Sequence, residues 1–157
     1  MNKPAGDKPD TPRIVVQNRK ARHEYHVIET WEAGLVLQGT EVKSLREGKG
    51  NLQDAYARVD RGEVWLHNMH ISPYEQGNRF NHDPLRPRKL LLHSRQIRKL
   101  IGQVEKSGLT LVPLDVHFSR GIAKVNLALV RGKQLHDKRE DLKKRDAQRE
   151  MQRALKE

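Results

Sequence analysis

Two clusters of basic side chains are the groups in this sequence best suited to bind a polyanion. Between Pro84 and Val104 there are six cations and no acid, whereas the two signs are interspersed elsewhere. These six residues are Arg86, Arg88, Lys89, Arg95, Arg98 and Lys99. A second cluster, Arg19, Lys20 and Arg22, precedes the first strand-like run. Basic residues without neighbouring acids favour contacts with phosphate groups, and an ordinary solvated surface is the alternative.

Histidines are numerous, but their spacing does not predict a metal site. His23 and His26 are three residues apart in a strand-like segment, and so are His67 and His70. Alternate residues of a strand point to opposite faces, so the two members of each pair diverge. We therefore predict no bound metal, and expect some of these histidines to hydrogen-bond or stack on RNA instead.

Glu32 is an isolated acid beside Trp31, where Ala33-Gly34 interrupts a strand pattern and suggests a bulge or a sharp bend. A lone carboxylate there has three interpretations: a catalytic acid, a salt-bridge partner, or a hydrogen-bond acceptor for an RNA base. The sequence shows no paired carboxylate, no nucleophile–base set and no Walker-type loop. Catalysis is the weakest of the three interpretations, and we predict no catalytic residue and no cofactor.

Composition favours nucleic acid as the partner of one small domain. The chain has 157 residues, 35% hydrophobic and 32% charged, and 31 Lys and Arg against 20 acids give a net charge of +11. A domain this basic releases condensed counterions when it binds polyphosphate. The absence of cysteine excludes disulfides and thiolate metal sites. Without a membrane-length apolar window or a signal segment at the N-terminus, a cytoplasmic protein is expected.

Hydrophobic alternation predicts a mainly β domain. Strand patterns fall at 23–39, at 54–71 around a turn at Asp60-Arg61-Gly62, and at 109–132 around a turn at Arg120-Gly121. Short curved strands cannot bury both faces of an open sheet. We therefore expect a small closed β-barrel of the oligonucleotide-binding type with two or three short helices, and a sandwich is the alternative.

Helix signals and one proline refine this prediction. Thr40 is the expected cap of a first short helix, and Ser94 the expected cap of a second one with an apolar stripe from Ile97 to Val104. Pro113 marks the strand that contains it as either an edge strand or a bent strand, because proline cannot donate to a sheet.

The chain is predicted to have three parts. Residues 1–13 are a flexible arm, residues 14–132 form the barrel, and residues 133–157 form a basic tail with nine cations and six anions. A helical tail would gain some opposite-charge pairs at i,i+4 but would also oppose like charges. We expect the tail to be disordered in the free protein and helical against a partner, and a permanently disordered tail is the alternative.

Long motifs run through most of the chain, from about Asn18 to Lys156. They are EAGLVLQGTEVKSLREGKGNLQDAYA, YEQGNRFNHDPLRPRKLLLH and GKQLHDKREDLKKRDAQREMQRALK. Together they resemble the small protein B family, the SsrA-binding (tmRNA-binding) proteins of bacteria. The resemblance implies an oligonucleotide-binding-type barrel that binds the tRNA-like domain of tmRNA, one to one as a monomer. It also implies delivery of tmRNA to stalled ribosomes for trans-translation, with no reaction catalysed by the protein.

The resemblance also implies roles for individual residues. It assigns tmRNA binding to Glu32, Leu91 and His93, although Asn also occurs in the family at the position of His93. The other predicted RNA-binding residues are Arg19, Lys20, Arg22, His23, Arg88 and Lys89. The predicted ribosome-contacting residues of the tail are Gly132, Lys133, His136, Asp137, Lys138 and Arg139. In the family this tail lies in the empty message channel near the decoding centre and becomes helical there.

Two other functions compete with this one. An RNA-processing enzyme on a barrel scaffold would also be basic, and so would a structural ribosomal protein that stays bound to its subunit.

Overall fold

Six strands close into a ring that forms a small β-barrel. A computed structural model describes residues 13–77, 80–104, 108–132 and 135–156, without the side chains of 135–141 and 156. The strands are β1 (Arg13–Gln17), β2 (Tyr25–Leu35), β3 (Gly50–Asn51), β4 (Tyr56–Asp60), β5 (Glu63–His67), β6 (His70–Ile71), β7 (Arg88–Leu91), β8 (Leu109–Ser119) and β9 (Ile122–Gly132). The ring follows the order β8-β4-β5-β7-β2-β9 and is completed by pairing of β9 with β8. The predicted closed barrel is confirmed.

Two tight hairpins of this barrel are also confirmed. The β4–β5 turn contains Arg61 with φ 51° and Gly62 with φ 77°, and the β8–β9 turn contains Arg120 with φ 53° and Gly121 with φ 75°. Two successive left-handed residues make the turn whose twist matches that of paired strands. Each hairpin then presents alternate residues to the core, such as Val64 and Leu66 on β5, which are fully buried.

Pro113 lies in a bent interior strand. β8 pairs with β1, β4 and β9, so it is not an edge strand, and the edge interpretation is wrong. The β8–β9 register shifts between Pro113 and Asp115, which confirms the bent-strand interpretation. The carbonyl of Pro113 accepts a hydrogen bond at 2.9 Å from the Asn18 side chain, whose oxygen in turn accepts the Ala21 N–H. Asn18 therefore links the first helix to the bend in β8 through two hydrogen bonds.

The sequence suggested a bulge or a sharp bend at Ala33-Gly34, but the register shift of β2 does not lie there. It lies between Val27 and Glu29, opposite β9. Gly34 instead pairs with Leu91 of β7 and Lys124 of β9. A Cβ at Gly34 would lie 3.3 Å from the Cβ of Leu91, so glycine permits two strands to approach closely at this point.

The helices are α1 (Arg19–Glu24), α2 (Gly39–Arg46), α3 (Ser94–Val104) and α4 (Leu135–Lys156). α1 was not predicted, and it separates His23 on the helix from His26 on β2. Thr40 does not cap α2, because Gln38 occupies the cap position and its N–H donates to Glu41 at 2.8 Å. His93 precedes α3: its carbonyl accepts the Ile97 N–H, and its own N–H donates to Gln96. Ser94 is therefore the first residue of α3 rather than its cap.

The C-terminal segment forms one helix of 22 residues, α4, with no partner present. Its described side chains, from 142 to 155, are all exposed, and none belongs to the barrel core. The expectation that the tail is disordered in the free protein concerns solution and stays a prediction. No helix among the described residues is long and apolar enough to cross a membrane.

Candidate RNA-binding surface

Glu32 lies in a polar network formed by β2, β8 and β9. Its half-exposed carboxylate accepts a hydrogen bond from Lys124 Nζ at 3.0 Å and lies 3.2 Å from His117 Nε2. The other ring nitrogen of His117 lies 2.8 Å from Asp115, whose second oxygen accepts from the Asn126 amide at 2.8 Å. His117 is buried, so the network fixes Glu32 from below while one face of the carboxylate stays open to solvent.

This network keeps Glu32 ionised. The hydrogen bond from Lys124 lowers the pKa of Glu32, and partial desolvation opposes it less strongly than Lys124 and His117 together favour it. A carboxylate at this position can only accept hydrogen bonds. The surface therefore presents a fixed, charged acceptor suited to the donor edge of a base or to a ribose hydroxyl.

The strand register carries Leu91 and His93 toward Glu32. Leu91 pairs with Gly34, two residues after Glu32, and its side chain is 53% exposed. His93 follows Leu91 by two residues, is exposed, and lies at the start of α3. Because β2 and β7 are antiparallel, the direction from Leu91 to His93 matches the direction from Gly34 to Glu32. Leu91 thus lies on the strand next to Glu32, and His93 follows the end of that strand.

The basic cluster on α1 adjoins the same network. Arg19 and Arg22 line a pocket of about 230 Å³ together with Asp115, the residue that holds His117. Lys20 Nζ lies 3.8 Å from Asp54 in an exposed pair, which contributes little and leaves the ammonium available. His23 lies on the same helix and is partly buried.

Arg88 does not belong to this surface, and its predicted contact with phosphate is wrong. Its side chain is fully buried and hydrogen-bonds to Glu41 and to the carbonyl of Met69. Glu41 is also fully buried, and its carboxylate accepts a hydrogen bond from Arg86 as well. Burial alone would raise the pKa of Glu41, but the hydrogen bonds from Arg86, from the Gln38 N–H and from Arg88 leave it below its usual value. Arg88 is a structural residue of the barrel.

The remaining cations of the 84–104 run divide into two groups. Lys89 Nζ lies 3.4 Å from the Glu63 carboxylate, and Lys99 Nζ lies 2.8 Å from that of Glu29. Both ion pairs are partly exposed, so a phosphate can replace the carboxylate in each. Arg95 and Arg98 on α3 are exposed and pair with no acid among the residues that the structure describes. The run is therefore a weaker patch than its sequence suggested.

The structure describes only some of the predicted ribosome-contacting residues of the tail. Gly132 is exposed at the end of β9, and Lys133 lies outside the described residues. His136, Asp137, Lys138 and Arg139 lie within α4, but their side chains are outside the described set. No group of three metal-ligating side chains is found among the described residues.

The partners of Glu32 were missed by the sequence analysis. Asp115, His117, Lys124 and Asn126 belong to the two strands of the last hairpin, and their polar side chains at alternating positions were visible in the sequence. These residues meet Glu32 only through long-range strand pairing, since Glu32 and His117 are 85 residues apart in the sequence.

A substitution separates the functional from the structural role of Glu32. Glu32→Gln should leave the melting temperature unchanged and weaken RNA binding about 10- to 100-fold, because a charged acceptor is worth about 1.5–3 kcal/mol. Glu29→Gln is the matched control, since Glu29 lies on the same strand and pairs with Lys99. Binding titrations and thermal melts of both variants test this. Unfolding of Glu32→Gln, with unchanged affinity per folded molecule, would support the salt-bridge interpretation.

Comparison with known proteins agrees with this geometry. The family model described as SmpB protein matches residues 15–157. The chain belongs to the SmpB family. The SsrA-binding protein of Desulforudis audaxviator is 63% identical over 142 residues, covering 90% of this chain and 93% of its own. That of Geobacillus thermodenitrificans is 61% identical over 145 residues, covering 92% and 94%.

A solved structure is similar as well. It is described as "tmRNA-SmpB: a journey to the center of the bacterial ribosome" and is 55% identical to this chain with a TM-score of 0.66. The match covers 76% of this chain and 85% of that one. The barrel with its short helices is therefore the fold of the family.

Proposed function

We propose that this protein binds the tRNA-like domain of tmRNA and delivers it to stalled ribosomes for trans-translation. The observation that carries the proposal is the fixed, ionised Glu32 beside the basic helix α1, on a barrel of the SmpB family. The names of the relatives, SsrA-binding proteins, and the tmRNA–SmpB ribosome structure support the same partner.

In this function the predicted residues have distinct roles. Glu32 accepts hydrogen bonds from the RNA, Leu91 offers an apolar contact, and His93 donates or accepts at a base edge. Arg19, Lys20, Arg22 and Lys89 neutralise phosphates, and His23 extends the α1 contact. The protein acts as a monomer in a one-to-one complex with tmRNA, in the cytoplasm where its ribosomal partner is found.

The tail has a separate role at the ribosome. Gly132 and Lys133 lead from the barrel into the tail, and His136 with Asp137, Lys138 and Arg139 contacts the decoding centre and the empty message channel. A helix with 22 residues spans about 33 Å at 1.5 Å per residue, a length suited to a channel rather than to a globular pocket.

Salt dependence tests the phosphate contacts. If about five phosphates are neutralised, log K for the tRNA-like domain should fall with log salt at a slope of about −3.5 to −4.5. Lys89→Ala should flatten the slope by up to about one unit. Lys49→Ala is its matched control, since both ammonium groups belong to side chains that are 38% exposed and paired with glutamate. A slope near zero, or equal changes in the two variants, contradicts the proposal.

Two experiments separate the alternatives. The protein has no catalytic role in the proposed function, so tmRNA incubated with it and a divalent metal should stay intact, and cleavage would favour a processing enzyme. A rescue factor should sediment with a minor, stalled fraction of ribosomes. Constant stoichiometry on all small subunits would instead favour a structural ribosomal protein.

A further inference from the structure

The outer face of β4, β5 and β7 carries aromatic and basic side chains in register. Tyr56 pairs with His67, and Arg58 pairs with Trp65, which in turn pairs with Lys89. The alternate residues of these strands are buried in the core, so all five side chains point outward. We call this set of five residues the stacking face.

The rings of the stacking face are arranged like a platform for bases. Tyr56 and His67 are stacked with ring centroids 5.3 Å apart and an interplanar angle of 19°. Trp65 lies beside them, partly buried, and lines a pocket of about 420 Å³ with His67, Arg58, Asp60 and Pro87. Tyr56 is exposed, and Trp65 and His67 are partly exposed. Rings at strand spacing accept bases by stacking on their open faces, and this contact tolerates any base sequence because every base has a π-face.

Charge on the same face selects RNA over an apolar protein partner. Arg58 is exposed and pairs with no acid among the described residues, and Lys89 is held only by the exposed Glu63. Asp60, which lines the same pocket, and Glu63 lie opposite each other in the strand register on either side of Arg61-Gly62, and they are the acids at this end of the face. A phosphate backbone would therefore run over Arg58 and Lys89 and stay away from the turn.

We propose that the stacking face is a second RNA-binding site, which binds unpaired bases of single-stranded RNA on Trp65 and the Tyr56–His67 pair. It is independent of the Glu32 network, which lies on β2, β8 and β9. The two surfaces adjoin along β7, where both use Lys89 and Leu91 follows it on the same outward side, and at Tyr56, which lines a pocket with Lys20 of α1. Base-paired RNA cannot use the stacking face because its bases are covered.

Tryptophan fluorescence reports on this site directly. The chain has two tryptophans, and Trp31 is only 8% exposed. Titration of the full-length protein with a hexamer of adenosine ribonucleotides should quench the emission of Trp65, whereas an RNA duplex should bind without quenching it. Trp65→Phe retains Trp31 alone, so its emission should not respond while most of its affinity for the hexamer remains.

Affinity measurements complete the test. Trp65→Ala should weaken hexamer binding about 5- to 100-fold, since stacking one base changes affinity by about that factor, and Arg58→Ala should reduce its salt slope by about 0.7. Glu32→Gln should leave hexamer binding unchanged although it weakens binding to the tRNA-like domain. Loss of one site can therefore be told apart from loss of the other. The proposal is overturned if the hexamer does not bind, if it binds without quenching Trp65, or if the duplex quenches equally.

Discussion

Arg88→Met should lower the free energy of unfolding by about 3 kcal/mol, because it removes the buried charged partner of Glu41 and leaves only the partly exposed Arg86 to pair with that carboxylate. Arg88 and Glu41 are both fully buried, and methionine fills a similar volume without supplying a donor. Urea unfolding of the wild type and the variant measures the change. Lys89→Met is the matched control at the next residue, where the exposed pair with Glu63 contributes at most about 1 kcal/mol.

A second variant decides whether the lost charge or the lost packing causes this effect. In Glu41→Gln with Arg88→Met both charges are absent, so the double variant should recover part of the lost stability.

The pH dependence of stability has a definite sign as well. Glu41 has a lowered pKa in the folded state, so it stabilises the fold above its unfolded pKa of about 4.3, and this contribution is lost as the pH falls through the folded value. Wild-type stability in Arg88→Met would contradict the structural assignment.

Arg88 also illustrates what sequence reasoning could and could not predict. Six cations without an acid within 21 residues resembled one phosphate-binding patch. Their acids are instead supplied from elsewhere in the chain, since Arg86 and Arg88 bind Glu41, and Lys99 binds Glu29. Local charge balance cannot reveal partners that tertiary packing brings from 45 to 70 residues away in the sequence.

The same contrast applies to secondary structure. The two tight hairpins and α3 were predictable, because turn residues and an apolar stripe are local signals. α1 was not, because it has six residues with one buried position, and its cap Asn18 is held by the carbonyl of Pro113, 95 residues away. Glu32 was identified by position and resemblance, but Lys124 and His117 became its partners only through the register of β9 and β8.

The tail provides the largest expected effect on function. Truncation after Lys133 should leave the barrel folded, because no described residue of α4 contributes to either buried cluster of the core. Binding to isolated tmRNA should persist for the same reason, since Glu32 and α1 belong to the barrel. Tagging of nascent chains on stalled ribosomes should nevertheless collapse. Binding to the tRNA-like domain and tagging are therefore measured side by side on the truncated protein.

Replacing Asp137, Lys138 and Arg139 with Ala should reproduce much of that collapse through lost charge-assisted contacts to ribosomal RNA, since Ala is the better helix former. The matched control replaces Arg145, Asp146 and Arg149 with Ala, which removes the same charges further along α4 and should retain more tagging. Ala147→Pro tests the helix itself, because proline in a helix interior costs about 3 kcal/mol. It should impair tagging without changing tmRNA affinity if α4 is the form that enters the message channel. Full tagging by the truncated protein would exclude a role for the tail in that channel, whatever its RNA affinity.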